Sequence, residues 1–573
     1  MATLPKDEYD FIIVGAGAAG CALAWRLAGS KKRPSVLLAE AGGKNDLVET
    51  RIDGNKWINR LHKKQNWRYQ TVPQKHLNGR VIPYDRGKGL GGSTSINFAA
   101  FTCGPSDDYD EIARLVGDDE WKWVNMQKRF ISLESYHGFA PDISKEQAKY
   151  VNANAGDHGA SGPLKIGFPS VWEKSLTTIM DIFNEAGGVP LNPDANSGNP
   201  IGLSVAPNAA YKGVISNAAD LLKNAPENLH ILTHAQVGSV IFENKTAKGI
   251  LTLDHQKYFT AKEVIVSAGS LDTPKILMHS GVGPADQLSK FDITVIEDSP
   301  YIGKHLQDHL FVFLSWERVA HLDERKKYYS DKSLQAAARA QWYADHTGPL
   351  SEIGCVYAQA YLKSEEIFES EEFKNLPEYR QAHLLKPTIP AFEVELNPAN
   401  AEYFIDPENT PAMEAIVVFP MNSESRGSVT LQSSDPKEPL LYDPNFFASS
   451  FDKRAAIVAT RATLKIMQTP DFMKDTVKVT SGPKSDSDED ILDYWEKEAG
   501  SSWHMSGTCK MGISKEEDEA CIDSSFRVFG LKGLRVADMS VLPILTNNHT
   551  QATAYAIGIT AADKIIAEYN FQV

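Results

Sequence analysis

The 573-residue sequence is poor in cysteine, has no long apolar run and carries no excess of positive charge. Its five cysteines are scattered and odd in number, which argues against the disulfide framework of a small secreted protein. No stretch approaches the ~18 consecutive apolar residues of a membrane-spanning helix. With 74 acidic and 59 basic residues the net charge is −15, which argues against nucleic acid or an anionic membrane as the main partner.

Two further absences concern the location of the protein. The first apolar strand begins about ten residues into the chain, which leaves no room for a secretory signal. Residues 570–573 do not form a peroxisomal targeting tripeptide. Together with the scattered cysteines, these absences predict a cytoplasmic location.

The first informative stretch is residues 9–20, YDFIIVGAGAAG. Residues 11–14 form a short apolar run, typical of a buried parallel strand. Gly15, Gly17 and Gly20 then follow the G-x-G-x-x-G spacing of a dinucleotide-binding turn. The first glycine permits the turn, the second lets a pyrophosphate approach the backbone, and the third lets the next helix pack on the strand.

The helix that follows, through Ala22 to Ala28, is expected to point its N-terminal N–H groups at that pyrophosphate. The next strand, residues 35–39, is followed by Glu40, whose carboxylate can accept hydrogen bonds from both ribose hydroxyls of an adenosine. The order of strand, turn, helix, strand and acid favours this interpretation over a glycine turn in another α/β protein with a solvated glutamate.

Residues 86–97, RGKGLGGSTSIN, form a second glycine-rich stretch. Closely spaced glycines disfavour a helix or strand interior and allow the backbone to lie against a flat or anionic group. A flavin and its pyrophosphate are the natural candidates. The alternative, a surface linker, is disfavoured because Leu90 and Ile96 are apolar and lie between the small residues.

With these motifs the sequence resembles the glucose–methanol–choline (GMC) oxidoreductases, a family of FAD enzymes that oxidise alcohols. Residues 87–110 fit the family's first signature and residues 269–283 fit its second. The resemblance resumes at Trp503 and is weakest across residues 120–420. It implies FAD as the cofactor, bound by Gly15, Gly17, Ala18, Ala19, Gly20, Glu40, Arg86, Gly91, Gly92, Ser93, Asn97, Val237, Trp503, Asp538, Thr550 and Gln551.

The expected fold class is α/β (α+β overall). It combines a Rossmann-like FAD-binding domain on a parallel sheet with a substrate domain on a mostly antiparallel sheet flanked by helices. The FAD-binding domain is predicted to be discontinuous, from residues 5–45, 80–115, 215–310 and 500–573. The substrate-binding and connecting domain is predicted from residues 46–79, 116–214 and 311–499.

Some local expectations concern the regions outside the nucleotide-binding motifs. Residues 45–80 are expected to leave the first domain and to include helix. Three alternating or apolar runs are expected to share one antiparallel sheet, namely residues 312–317, 415–421 and 427–433. Aromatic residues are expected in the wall and lid of a substrate funnel, with ordinary local packing as the alternative: Trp342, Tyr343, Phe392, Tyr403 and Phe404.

The last 70 or so residues carry further candidate site residues. Asp538 follows a short strand, residues 534–537, at the end where α/β folds present ligand-binding residues, although it could instead cap the next turn. The apolar spacing from Tyr555 to Ile566 predicts a buried amphipathic helix that begins near residues 547–551. Its N-terminus, aimed at the flavin pyrimidine, would stabilise developing negative charge.

By resemblance, His504 and His549 face the flavin N5. Alcohol oxidation removes the hydroxyl proton while hydride leaves carbon, and a neutral imidazole suits the first task. We predict His504 as the base and His549 as the second hydrogen-bond partner. Some relatives attach FAD through a histidine at the position of Ile96, so non-covalent FAD is predicted there.

The predicted function is FAD-dependent oxidation of an alcohol CH–OH group by proton abstraction and hydride transfer to flavin N5, with reoxidation by O2 or another acceptor. The alternatives are a non-redox lyase or cyclase with structural FAD, a sugar dehydrogenase, and a flavin-binding protein without turnover. The aromatic neighbour Trp503 favours an aryl or other apolar alcohol as substrate. No metal is predicted, because His504, Cys509 and Cys521 include no CxxC pair.

Overall fold

The computed structural model describes residues 8–139, 141–322, 324–398 and 402–572. Two sheets of different kinds organise these residues, one largely parallel and one antiparallel. A large cavity is lined by residues of both sheets. This arrangement confirms the predicted fold class.

The first sheet has a parallel centre, because both of its faces are covered. Residues 11–14 and Val36–Ala39 pair in parallel and are almost completely buried. An antiparallel hairpin, Val237–Glu243 and Thr246–Thr252, extends the sheet on one side. In spatial order the strands are Leu229–Leu232, Val36–Ala39, Glu8–Val14, Lys257–Val266, Thr246–Thr252 and Val237–Glu243, with Leu534–Val536 beside Lys257–Val266.

Two helices that begin at the cavity pack against each other beside this sheet, Ala18–Ala28 and Gln551–Glu568. A Cβ atom on Gly558 would lie 2.1 Å from the carbonyl oxygen of Ala19, so the two backbones are in direct contact. The C-terminal helix was expected to be amphipathic, but it is buried around most of its circumference. Its neighbours enclose it, so only its last turn is exposed.

The second sheet is antiparallel throughout its described strands. Its strands, in spatial order, are Ala358–Leu362, Phe392–Leu396, Met413–Pro420, Leu310–Arg318 and Thr476–Ser481, with Gly500–Ser501 beside the start of Leu310–Arg318. In register, Glu395 pairs with Val417, and Val417 pairs with Phe313. Since alternate side chains share a face, Phe311, Phe419 and Glu393 lie on that same face.

The predicted third strand of this sheet belongs elsewhere. Gly427–Thr430 pairs with Lys304–Leu306 and Leu441–Asp443 in a separate small sheet. After Met413–Pro420 the chain turns away, because the Asp452 carboxylate accepts hydrogen bonds from the backbone N–H groups of residues 424 and 425.

The helix expected within residues 45–80 is present as two 3₁₀ helices and not as an α-helix. The described structure there consists of 3₁₀ turns, Val48–Arg51 and Asp53–Leu61, and the short strand Tyr69–Gln70. Distant contacts hold the segment instead of helical pairing: the Trp57 indole N–H donates to the Gly354 carbonyl at 2.6 Å, and Lys56 is fully buried.

The remaining helices and strands surround the two sheets. The helices are Ser106–Val116, Trp123–Leu133, Lys174–Asp181, Thr273–His279, Ala285–Lys290, Glu324–Tyr329, Lys332–Asp345, Glu365–Phe368, Glu371–Lys374, Glu378–Leu384, Glu402–Ile405, Ser450–Met467, Pro470–Met473 and Asp488–Glu498. The short strands are Pro83–Tyr84, Glu134–His137, Leu164–Gly167, Gly202–Val205, Ala210–Tyr211, Val214–Ile215, Val282–Gly283 and Glu297–Asp298. Within the described ranges, none of the helices combines the length and apolar character needed to cross a membrane.

Candidate active site

A cavity of about 360 Å³ lies between the two sheets, within the usual size of small-molecule and cofactor sites. Nearly all the residues predicted for the site line it. Of the described residues predicted for the site, Gly20 and Gly91 are the two that do not line the cavity. Those that line it are Gly15, Gly17, Ala18, Ala19, Glu40, Arg86, Gly92, Ser93, Asn97, Val237, Trp503, His504, Asp538, His549, Thr550 and Gln551.

The first glycine turn shows why each glycine stands where it does. Gly15 has φ +100°, and a Cβ atom there would lie 2.5 Å from the Ser267 carbonyl oxygen. A Cβ atom on Gly20 would lie 1.9 Å from the Gly15 carbonyl oxygen, so this residue serves helix packing and not the cavity wall. Gly17 has open space at its Cβ position and faces the cavity.

The second glycine stretch packs directly on the first. Gly91 has φ +93°, and its N–H donates to the Ala16 carbonyl at 2.8 Å. A Cβ atom on Gly92 would lie 2.7 Å from the Gly17 Cα. Gly91 therefore shapes the loop from behind, while Gly92 and Ser93 reach the cavity.

Glu40 is buried at the carboxyl end of Val36–Ala39. One carboxylate oxygen accepts from the Ala16 N–H at 2.8 Å, and the other accepts from the N–H groups of Gly42 at 2.8 Å and Gly89 at 2.9 Å. The side chain thus ties the two glycine stretches together, in addition to lining the cavity.

Asp538 lies at the cavity and caps two turns. Its carboxylate accepts from the Gly269 N–H at 2.9 Å, the Thr273 hydroxyl at 2.5 Å and the Ser540 N–H at 2.8 Å. These contacts are those of a turn-capping residue, which was the alternative role expected for Asp538. Its role as a ligand-binding residue stays a prediction.

The donors and acceptors around the cavity fit a dinucleotide such as FAD. The helix Ala18–Ala28 begins after Gly17 without a side-chain cap, so its first N–H groups are free for a phosphate. The helix Gln551–Glu568 also begins at the cavity without a side-chain cap. The Gln551 side chain accepts a hydrogen bond from Asn97, while its own buried Nε2 has no partner among the described residues. Such an orphaned donor fits a polar ligand edge.

His504 and His549 meet at this cavity, with ring centroids 5.3 Å apart and ring planes at 83°. The backbone N–H of His504 donates to the Asp308 carboxylate at 2.7 Å, and the backbone N–H of His549 donates to the Thr102 hydroxyl at 2.9 Å. Both backbones are therefore fixed, so the two side chains can address one substrate group.

The pKa values of the two imidazoles shift in opposite directions. For His504, burial and the nearby His549 and His309 hold the pKa well below its usual value. For His549, burial lowers the pKa, but the charge of Glu393 and its hydrogen bond at 2.8 Å outweigh burial, so the net pKa is raised. The two shifts therefore favour the neutral form of His504 and the protonated form of His549.

Trp503 is held in a strained conformation beside His504. Its φ is +60°, in the left-handed region that a large side chain rarely adopts. Its carbonyl oxygen accepts from the Arg86 guanidinium at 2.8 Å, and Arg60 lies 5.5 Å above its ring. Such strain at a site is stable only where surrounding contacts enforce it.

Several site residues were missed from the sequence. Glu393, the partner of His549, and Glu395, which lines the cavity, are alternate residues of one apolar strand, and two buried acids at that spacing were a usable signal. His309 directly precedes Leu310–Arg318 and contacts His504, yet nothing local marks it. Of the five aromatic residues expected in the funnel, only Phe404 is among the described lining residues.

Three of the remaining four aromatic residues follow the local-packing alternative, whereas Tyr343 is 48% exposed. Trp342 packs in a separate small core with Ile52 and Leu350, and Phe392 and Tyr403 are buried. The cavity wall is instead built by Phe311, Phe313, Phe419 and others from the second sheet. No group of His, Cys, Asp or Glu within the described ranges is arranged to hold a metal ion.

A dinucleotide cradle that faces two histidines across one cavity is typical of a redox enzyme with a dinucleotide cofactor. Family models described as GMC oxidoreductase match residues 9–311 and 423–558. The chain belongs to the GMC oxidoreductase family. It is an FAD-dependent enzyme that oxidises CH–OH groups.

Relatives and solved structures agree with this assignment. The chain is 32% identical to an oxygen-dependent choline dehydrogenase of Pseudomonas syringae pv. syringae, over 98% of this chain and 94% of that protein. The chain is 31% identical to an oxygen-dependent choline dehydrogenase of Pectobacterium atrosepticum, over 97% of this chain and 94% of that protein. A formate oxidase variant of Aspergillus oryzae RIB40 superposes with a TM-score of 0.86 at 26% sequence identity. The match covers 98% of this chain and 99% of that one. A fungal aryl-alcohol oxidase shares the fold, with a TM-score of 0.86 at 23% sequence identity. The match covers 99% of this chain and 100% of that one.

Proposed function

We propose that His504 is the general base of this alcohol-oxidising enzyme and that His549 is the hydrogen-bond donor to the same substrate oxygen. FAD, when bound, supplies the hydride acceptor. His504 takes the hydroxyl proton, and the protonated His549 steadies the oxygen as it gains negative charge. The opposite pKa shifts of these neighbouring imidazoles carry the proposal, since they separate a base from an acid within one site.

We propose that the cofactor is held without a covalent bond. Ile96, at the position of the attachment histidine in some relatives, lines the cavity with an unreactive side chain. No cysteine or tyrosine occurs among the described lining residues, and the two lining histidines are His504 and His549. The residues proposed to hold FAD are the predicted ones that line the cavity, with the free N–H groups after Gly17 toward its phosphates and Glu40 toward its ribose.

The first candidate substrate is an aryl or other apolar alcohol. Phe311, Phe313, Phe419 and Trp503 line the cavity, and Phe419 lies 5.8 Å from the His549 ring. An apolar group on these rings would place its hydroxyl near the histidine pair, and aromatic walls favour such a group by burial and stacking.

A second candidate, an alcohol that carries a cationic nitrogen, is favoured by Glu395. This side chain is only 6% exposed, lines the cavity and has no hydrogen-bond partner among the described residues. Burial raises its pKa to about 7, while His549 lowers it. Its buried neighbours already pair, Lys56 with Asp53 and His549 with Glu393, so a ligand cation would supply the missing partner.

An anaerobic flavin-reduction screen tests the proposed function and separates the candidates. The screen includes benzyl alcohol, choline and 3,3-dimethylbutan-1-ol, which copies the shape of choline without its charge. An apolar-alcohol enzyme reduces its flavin fastest with benzyl alcohol. A cation-selective enzyme prefers choline to the neutral isostere by about tenfold or more, and Glu395→Gln removes that preference.

The same screen addresses the other predicted alternatives and the acceptor. If no alcohol or sugar bleaches the flavin of the fully loaded protein, then the oxidative proposal fails in favour of a lyase, a cyclase or a binding protein. Reduction by sugars alone would identify a sugar dehydrogenase. Admitting O2 after reduction tells an oxidase, which reoxidises within seconds, from a dehydrogenase that needs another acceptor.

We also propose the predicted division into two domains and a cytoplasmic location. The strands of the first sheet fall within residues 5–45, 215–310 and 500–573, which supports the division. Gly500–Ser501 pairs with the second sheet, so the junction near residue 500 lies at the interface. All five cysteines are free thiols, which suits a reducing compartment. Limited proteolysis and cell fractionation test these two proposals.

A further inference from the structure

Three polar contacts link the proposed base, His504, with Ser502 and His309, and two of them are made by one ring nitrogen. The Nδ1 of His504 lies 3.1 Å from the Ser502 hydroxyl oxygen and 3.1 Å from the Nδ1 of His309. The Ser502 hydroxyl also lies 2.7 Å from the His309 carbonyl oxygen. The other ring nitrogen of His504, Nε2, has no hydrogen-bond partner among the described residues, and the side chain lines the cavity.

The proton of the Ser502 hydroxyl has one partner that can only accept, the His309 carbonyl oxygen. This contact is also the shorter of its two, at 2.7 Å against 3.1 Å. With its proton placed there, Ser502 offers His504 only a lone pair. The Nδ1 of His504 must then carry a hydrogen, which it donates to Ser502 and shares with the Nδ1 of His309.

The opposite tautomer leaves a conflict. If His309 donated to an unprotonated Nδ1 of His504, then Ser502 and His504 would face each other with two lone pairs at 3.1 Å. The buried Nε2 of His309 lacks a partner among the described residues in either arrangement, so it does not decide between them. The Ser502 contact does, because only one tautomer satisfies all three contacts.

We propose that Ser502 is a positioning residue that fixes the tautomer of His504, so that its hydrogen sits on Nδ1 and its Nε2 lone pair is presented to the cavity. His309 supports the same tautomer as a second acceptor. This inference rests on the proposed role of His504 as the base. It explains how a hydroxyl can control proton abstraction through the base that it contacts.

Stopped-flow reduction of the FAD-loaded enzyme tests the kinetic consequence. Ser502→Ala is expected to slow flavin reduction about 10- to 100-fold with little change in substrate affinity, because most of the enzyme then holds the unproductive tautomer. Ser502→Thr keeps a hydroxyl and is expected to restore most of the rate. Ser506→Ala is the matched control: its buried hydroxyl has no partner among the described residues, and the rate should stay at the wild-type level.

The tautomer itself is visible in nitrogen spectra of protein labelled with ¹⁵N-histidine. The His504 signals are assigned by their loss in His504→Gln. In the wild-type holoenzyme at neutral pH, Nδ1 is expected to be protonated and Nε2 to show the shift of an unprotonated ring nitrogen. In Ser502→Ala, both signals are expected to move most of the way toward those of the opposite tautomer, because the rate falls in proportion to the competent fraction.

The outcomes separate this inference from the proposed function. A hydrogen on Nε2 in the wild type would overturn the inference, as would a Ser502→Ala enzyme that keeps both the wild-type signals and the wild-type rate. If His504→Ala is slow while Ser502→Ala is fast, then only the role of Ser502 fails. If His504→Ala itself reduces at the wild-type rate, then the proposed base is wrong.

Discussion

At the scale of single residues, Glu40 joins cofactor binding to loop structure. Its carboxylate accepts hydrogen bonds from three backbone N–H groups, so Glu40→Ala would orphan buried donors as well as remove the proposed ribose contact. We expect Glu40→Ala to weaken FAD binding while the reduction rate of the saturated enzyme changes little. Flavin fluorescence titration and stopped-flow reduction measure the two quantities.

Glu40→Gln is the matched control, since it keeps one acceptor oxygen and the side-chain shape. Its loss of affinity should be smaller than that of Glu40→Ala. An alanine variant that binds FAD normally but reduces it slowly would contradict the assignment.

The pair of Glu393 and His549 makes the reaction dependent on pH. The negative charge of Glu393 helps to raise the pKa of His549, so the protonated form persists to higher pH. Glu393→Gln removes that charge and therefore lowers the pKa. We expect the alkaline fall of the flavin-reduction rate to move to lower pH.

The pH profile of the limiting reduction rate, measured for the wild type and for Glu393→Gln, checks this expectation. Gln359→Leu serves as a control, because it removes the other hydrogen bond to Glu393, at 3.1 Å, without removing its charge. A shift toward higher pH in Glu393→Gln would show that the proton on His549 does not assist the reaction.

A site residue could be predicted from the sequence where its role is set by its neighbours in the chain, and not where it is set by a distant segment. Gly15 could be predicted because its left-handed backbone is required by the turn in which it stands. The partner of His549 could not, since Glu393 lies 156 residues away and is brought near by the pairing of distant strands. The tautomer proposed for His504 likewise depends on a distant contact, because the Ser502 hydroxyl donates to the carbonyl of His309, 193 residues away.

At the scale of elements, the close crossing of Ala18–Ala28 and Gln551–Glu568 aims two helix N-termini at the cavity. Gly558→Ala would push a Cβ atom against the Ala19 carbonyl oxygen at 2.1 Å. We expect a loss of about 1–3 kcal/mol in the free energy of unfolding, together with weaker FAD binding. Denaturant unfolding and FAD titration measure the two effects.

Gly482→Ala is a control in an open position, because its Cβ atom would meet its nearest neighbour at 3.6 Å. Its stability should stay within about 0.5 kcal/mol of the wild type. If Gly558→Ala matched this control, then the helix crossing would not be the rigid contact described.

Sequence patterns predicted the strands of this protein better than they predicted which strands pair. The parallel strands were predictable because each is a short apolar run buried on both faces. The assignment of Gly427–Thr430 to the wrong sheet followed from its alternation alone, which states that a strand exists but not which strand it pairs with. The turn held by Asp452 decides that pairing, and it is a tertiary contact.

At the scale of the whole molecule, the cavity is lined on one side by backbone next to the first sheet and on the other by side chains of the second sheet. We expect the purified protein to be yellow and to release its flavin into the supernatant on acid precipitation, because Ile96 replaces the attachment histidine. Absorbance of the supernatant and the pellet measures this. Heat-denatured protein is the control for trapped flavin, and colour retained by the pellet after both treatments would contradict non-covalent binding.

Anaerobic stopped-flow reduction of histidine variants, each checked for full FAD occupancy, tests most directly whether the histidine pair performs the proton transfer. We predict that His504→Ala slows flavin reduction by ~10²–10⁴. We also predict that His549→Asn is milder than His549→Ala, and that the double variant loses less than the product of the single losses, because both side chains address one hydroxyl. A His504→Ala enzyme that reduces its flavin at the wild-type rate, or a double variant that loses the full product, would contradict this account.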